Sequence, residues 1–87
     1  MSVSVRLPRV LSEAVGVGPR HEAEGNTLGE VLDDLFALHP GLRNHVLDEQ
    51  GRIRPHVLVF VDGRRADIAS PVGATSDVQV LQAVSGG

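Results

Sequence analysis

One stretch of this sequence has the periodicity of a sustained amphipathic helix, and the segments around it are short and punctuated. Thr27-Leu28-Gly29-Glu30 has the spacing of a capping box, in which a threonine hydroxyl and a glutamate three residues on satisfy free backbone donors at a helix start. Behind it Leu28, Val31, Leu32, Leu35 and Leu38 recur at three- and four-residue steps, with Glu30, Asp33 and Asp34 mostly on the other side. His39-Pro40-Gly41 ends the pattern, because proline cannot continue helical hydrogen bonding and disfavours a helical residue before it. Such an apolar stripe must be buried, and a sheet built from the remaining segments is the simplest partner.

Those segments read as strands. Ser2 to Leu7 alternates, with Val3, Val5 and Leu7 on one face. Val10 and Leu11 lead into Gly16-Val17-Gly18-Pro19, a loop signal, and Arg20 to Gly25 reads as a polar edge strand. Leu42 and Val46, four apart, suggest a short helical piece, followed by a charged loop from Asp48 to Arg54. Val57 to Val61 is the most apolar run, with Val57, Val59 and Val61 on one face and Leu58 and Phe60 on the other. Asp62-Gly63 predicts a tight turn into Arg64 to Ile68. After a loop around Pro71 and Gly73, Asp77 to Ala83 alternates again, with Val78 and Val80 together. The expected fold is an α+β roll over residues 1–83, a mixed sheet of about five strands with the main helix on one face. If the first and last strands lie side by side, the order is that of the β-grasp, or ubiquitin-like, arrangement.

Composition narrows the function. With 87 residues there is one domain and one modest core, with no room for a deep active site, so the chain is not expected to be an enzyme on its own. There is no cysteine, which removes thiol chemistry, disulfides and sulfur-rich metal sites. All 8 basic residues are arginine, the formal charge is −3 and aromatics are 2%, a poor basis for nucleic-acid binding. No apolar run is long enough to span a bilayer, and no signal-peptide pattern opens the chain, so no membrane partner and a cytoplasmic location are expected.

The sequence closes with Val84-Ser85-Gly86-Gly87, and no residue from Val78 onward carries a charged side chain. Small residues at an end are what a frayed terminus tolerates. They also suit chemistry at the α-carboxyl group, which is ionised and unreactive at neutral pH until it is activated. Glycines leave the acyl carbon unhindered and let a flexible 84–87 tail thread a narrow channel, and an uncharged tail is cheap to desolvate.

Taken with Thr27-Leu28-Gly29-Glu30-Val31, Val59-Phe60-Val61-Asp62-Gly63 and Asp77-Val78 leading to Gly86-Gly87, the whole chain resembles the ubiquitin-like sulfur carriers of the MoaD/ThiS type. The resemblance implies that an E1-like adenylyltransferase, using ATP and Mg²⁺, adenylates Gly87. A sulfurtransferase or sulfide source then converts the adenylate to a thiocarboxylate, and a sulfur-accepting synthase takes the sulfur. Gly86 and Ser85 would give access to the tail, and the carrier itself would bind no cofactor. Cysteine, molybdopterin or another sulfur-containing metabolite are the products open to it. The absence of an aromatic in Val80-Leu81-Gln82-Ala83 leans away from molybdopterin. With no cysteine, the terminal carboxyl is the plausible place to hold sulfide. With no lysine, polymers linked through lysine cannot form.

The resemblance also implies that partners grip the sheet face beside the tail. If Val59, Val61, Val78 and Val80 face the helix, then Leu58, Phe60 and Leu81 face outward as an apolar patch, with Arg64 and Arg65 at its rim. The Leu42 to Ile53 segment lying over Leu58 and Phe60 is the competing arrangement. An alternative function is a ubiquitin-like protein-binding module acting through this patch alone. His21, His39, His45 and His56 lack metal-ligand spacing, and Asp33-Asp34 and Glu22 with Glu24 read as solvated faces. Gly16-Val17-Gly18 lacks the helix start that a phosphate loop needs.

Overall fold

The alternating segments pair into one sheet because each has a single apolar face to bury, and the amphipathic helix closes over that face. In the computed structural model, which describes residues 2–83, the chain runs β1 (Val3–Arg6), α1 (Arg9–Val15), β2 (Arg20–Ala23) and α2 (Leu28–Leu38). A 3₁₀ turn (Pro40–Leu42), α3 (Arg43–Val46), β3 (Val57–Val61), β4 (Arg64–Arg65) and β5 (Asp77–Gln82) complete it. The strand order is β2-β1-β5-β3-β4, with β1 and β5 parallel and the other pairs antiparallel. First and last strands therefore meet in the middle of a mixed five-stranded sheet, the β-grasp order expected from the sequence.

The helix begins where the capping spacing places it. Glu30 N–H donates to Thr27 Oγ1 at 3.2 Å, while the Glu30 carboxylate accepts from Asn26 N–H at 3.0 Å, one residue further back than in the usual box. The loop before β5 satisfies two more free donors of this helix, with Leu28 N–H on Ser70 O at 2.9 Å and Gly29 N–H on Ile68 O at 3.0 Å. This approach explains a glycine inside the first turn: a Cβ on Gly29 would stand 2.7 Å from Ile68 Cγ2. Leu28, Val31, Leu32, Leu35 and Phe36 are buried against Val3, Val5, Val57, Val59, Val78 and Val80.

Two expectations change. The segment after Pro8 is helical, not a loop: α1 buries Leu11 in the core and ends at Gly16, whose N–H and that of Val17 bond Ser12 O at 2.9 and 3.0 Å. The strand expected over Arg64 to Ile68 stops at Arg65, because the chain turns at Asp67, whose carboxylate accepts Ala69 N–H at 3.0 Å. The polar edge strand, the short helical piece with buried Leu42 and Val46, and the Asp62-Gly63 turn all form. At that turn φ is 52° for Asp62 and 83° for Gly63, the two positive values that a two-residue hairpin needs.

Candidate functional site at the end of the central strand

β5 ends in the middle of the sheet, its ladder closed by Ala83 N–H donating to His56 O at 2.8 Å. Ser85, Gly86 and Gly87 lie outside the described residues. What the structure describes is the surface from which they follow.

Strand register assigns that surface. Side chains alternate across a strand, so residues paired across neighbouring strands share a face. Leu58 pairs with Leu81, and both are half-buried. One step further from the end of β5, a single row crosses the sheet as Arg65, Phe60, Gln79, Arg6 and Arg20. Beyond it lie Asp77, Ser4 and Glu22. The outer face thus grades from apolar at the end of β5, through a row that holds Phe60 and three arginines, to acids at the far end. Arg6 is anchored by Asp77, Nη2 to Oδ2 at 2.7 Å, while both side chains stay over two-fifths exposed.

The competing arrangement for the patch is corrected. Leu42, Val46 and Leu47 are buried in the same cluster as Val57 and Val59, which point away from Leu58 and Phe60, so the 42–53 segment packs on the helix side. The register also separates two residues that adjoin in sequence. Arg65 pairs with Phe60 and shares the outer face, whereas Arg64 pairs with Val61 and points to the helix side, at the exposed edge. Arg6, Gln79 and Arg20 were not singled out from the sequence. The polar positions of the alternating segments carried the signal, but only the register brings them into one row with Phe60.

At the far end, Asp62 holds the hairpin to β5. Its carboxylate accepts Asp77 N–H at 2.9 Å and Ser76 Oγ–H at 2.8 Å, and these bonds, that from Asp77 first, hold its pKa below the ordinary carboxylate value. Asp48 is lowered likewise, chiefly by Arg52 N–H, with Gln50 N–H and the Arg52 and Arg54 charges assisting. Both carboxylates are used in holding turns through backbone N–H groups. Asp33 instead faces Arg43 at 3.6 Å, and Asp34 accepts Glu24 N–H at 2.8 Å, tying α2 to the end of β2. The His21 and His39 rings meet edge to face at 4.8 Å, and no group of three or more metal-ligating side chains occurs among the described residues. On the opposite edge of β3, an open groove of about 690 Å³ is lined by Arg52, Arg54, Pro55, Val57 and Arg65. No helix among the described residues is long and apolar enough to cross a membrane.

Among the described residues the site is therefore a strand end with a graded face. The family model described as the ThiS family matches residues 5–87. The chain belongs to that family. The sulfur carrier protein CysO of Mycobacterium tuberculosis is 29% identical over 93 residues, covering all of both chains. Small archaeal modifier protein 1 of Haloferax volcanii is 30% identical over 69 residues, 78% of this chain and 79% of that one. Its crystal structure superposes with a TM-score of 0.87 over 100% of both chains at 27% identity. The Amycolatopsis orientalis BexX/CysO complex contains a chain with a TM-score of 0.87 at 26% identity, covering 98% of this chain and 99% of that one. The CysO relatives of this family member are thus sulfur carriers, and its structural neighbours share the ubiquitin-like fold.

Proposed function

We propose that this protein is a sulfur carrier and a protein substrate, not a catalyst, with Gly87 as its covalent site. In the first step a Gly87 carboxylate oxygen attacks the α-phosphorus of ATP in an E1-like enzyme, with loss of pyrophosphate. Sulfide then attacks the acyl carbon and AMP leaves, giving the thiocarboxylate that a biosynthetic synthase consumes. Gly86 and Ser85 supply an unhindered approach. The observation that carries this reading is the graded face: apolar Leu58 and Leu81 adjoin the end of β5, with Phe60 and Arg65 behind them, on a family member whose sequence ends in two glycines. Apolar contact next to the reactive end, with arginines further back, suits a partner that must draw in a neutral tail and orient it through acids on its own surface. Arg64, on the other face, is left outside this contact.

Intact mass after incubation with an E1-like adenylating enzyme, ATP and a sulfide source tests the proposal. The full chain gains the difference of one sulfur for one oxygen. A chain lacking Gly87 gains nothing while keeping the same circular dichroism, and Gly86→Ala is converted more slowly. Binding of partners unchanged by removal of both glycines, with no mass gain in the full chain, would replace the carrier by a module acting through Leu58, Phe60 and Leu81.

A further inference from the structure

β4 leaves β3 early, and the groove beside Val57 is the result. Ala66 N–H bonds Val59 O at 2.9 Å, and the chain then turns away at Asp67. There Oδ1 accepts Ala69 N–H at 3.0 Å and Ser70 Oγ–H at 3.3 Å, while Ile68 O and Ser70 O receive donors of α2. The facing wall is fixed as firmly. Asp48 Oδ1 accepts Gln50 N–H at 2.8 Å and Arg52 N–H at 3.0 Å. Arg54 N–H donates to Val46 O at 2.9 Å, and its Nε–H donates to Asn44 O at 2.6 Å. The groove of about 690 Å³ between these walls is held open by the protein's own bonds, so an occupant does not have to order it.

The lining is of two kinds. Ile53, Ala66 and Ile68 pack half-buried against the core beside buried Val57, which makes an apolar floor. Arg52 and Arg54 belong to one wall and Arg65 to the other, against a single carboxylate, Asp67. None of these three arginines has an ion-pair partner among the described residues, where the paired arginines are Arg6, Arg9 and Arg43. The chain as a whole carries a formal charge of −3, so a groove in which guanidinium groups outnumber carboxylates opposes the sign of the molecule. Arg65 is also in the row of Phe60, so the groove continues the outer face around the edge of the sheet. Guanidinium groups divided between two walls, with apolar surface between them, match several carboxylates along one chain better than one small anion.

We propose that this groove docks an acidic, extended segment of a partner protein, with an apolar side chain seated between the walls and neighbouring carboxylates on Arg52, Arg54 and Arg65. The docking does not depend on the carrier reading.

A short peptide with blocked ends, in which paired aspartates flank a leucine on each side, is the probe. It is titrated into the isotope-labelled full chain and followed by amide NMR shifts. The largest shifts fall on Ile53, Val57, Ala66 and Ile68, and affinity drops about tenfold as ionic strength rises from about 0.01 M to about 0.15 M. Arg52→Ser and Arg65→Ser together weaken binding about tenfold with circular dichroism unchanged, and serine in place of the peptide's leucine weakens it about fivefold. Arg9→Ser removes a unit charge from α1 and changes affinity by less than about twofold. Shifts confined to Phe60, Gln79 and Arg6, or no binding at about 1 mM peptide, overturn the proposal. Arg9→Ser weakening binding as much as the double variant also overturns it. So does acetate giving the same shifts at the same carboxylate concentration, which makes the groove a small-anion site. A free chain that sediments as a dimer, and as a monomer once Arg52 and Arg65 are replaced, assigns the groove to a second copy and equally overturns it. If the double variant does not fold, the salt dependence and the leucine replacement decide the matter on the unmodified chain.

Discussion

The two faces of β3 and β5 carry apolar side chains at adjacent positions and use them differently. Val57, Val59, Val61, Val78 and Val80 are buried under α2 and the 42–53 segment, whereas Leu58, Phe60 and Leu81 remain half-buried, with no element among the described residues laid over them. β-Branched residues fill the side that must be rigid, and longer, more adaptable side chains occupy the side that is open. An apolar residue in this sheet therefore joins the core or the open face according to its parity along the strand.

Substitutions on the two faces separate these contributions. The largest effect is expected inside: Leu35→Ala removes a fully buried side chain and costs about 2–5 kcal/mol, a large share of the stability of so small a domain. Urea denaturation measures it. Gly29→Ala costs about 1–3 kcal/mol through the clash with Ile68 Cγ2, and Ile68→Ala in the same chain makes the pair less than additive. Thr27→Ala costs about 1 kcal/mol by removing the cap on Glu30 N–H.

On the outer face, Leu81→Ser costs about 1 kcal/mol or less in the same denaturation, yet slows adenylation at least about tenfold. If stability and adenylation fell in the same proportion, the functional distinction between the faces would collapse. The smallest effect concerns acid. The pKa of Asp62 is depressed in the folded state, so its contribution is present above the ordinary value of 3.8 and is lost as pH falls through the folded value. Asp62→Asn flattens that part of the stability profile below pH 4, as thermal melts across the range will show.

How far the sequence revealed this depended on whether a feature was local. The cap and stripe of α2 are read within a dozen residues, and the alternation of β1, β3 and β5 within six each. α1 escaped because its start, Pro8, offers no capping side chain and its seven residues are too few for a periodic signal. Gly16 looked like part of a loop but is the cap that ends this helix. The outer face of the sheet was half legible: parity put Leu58, Phe60 and Leu81 outward, but only pairing distinguishes Arg65 from Arg64 or brings Arg6 and Arg20 into the row of Phe60. The proposed covalent site at Gly87 is a matter of sequence alone, since the described residues stop at Ala83.

The parallel pairing of β1 with β5 also governs when the molecule comes into being. The strand in the middle of the sheet is the last to be synthesised, and β1 and β3 have no contact through each other until it arrives. A chain broken off before Asp77 lacks the centre of its core, including Val78 and Val80. Closure of the sheet thus waits on β5, because β1 and β3 are joined only through it.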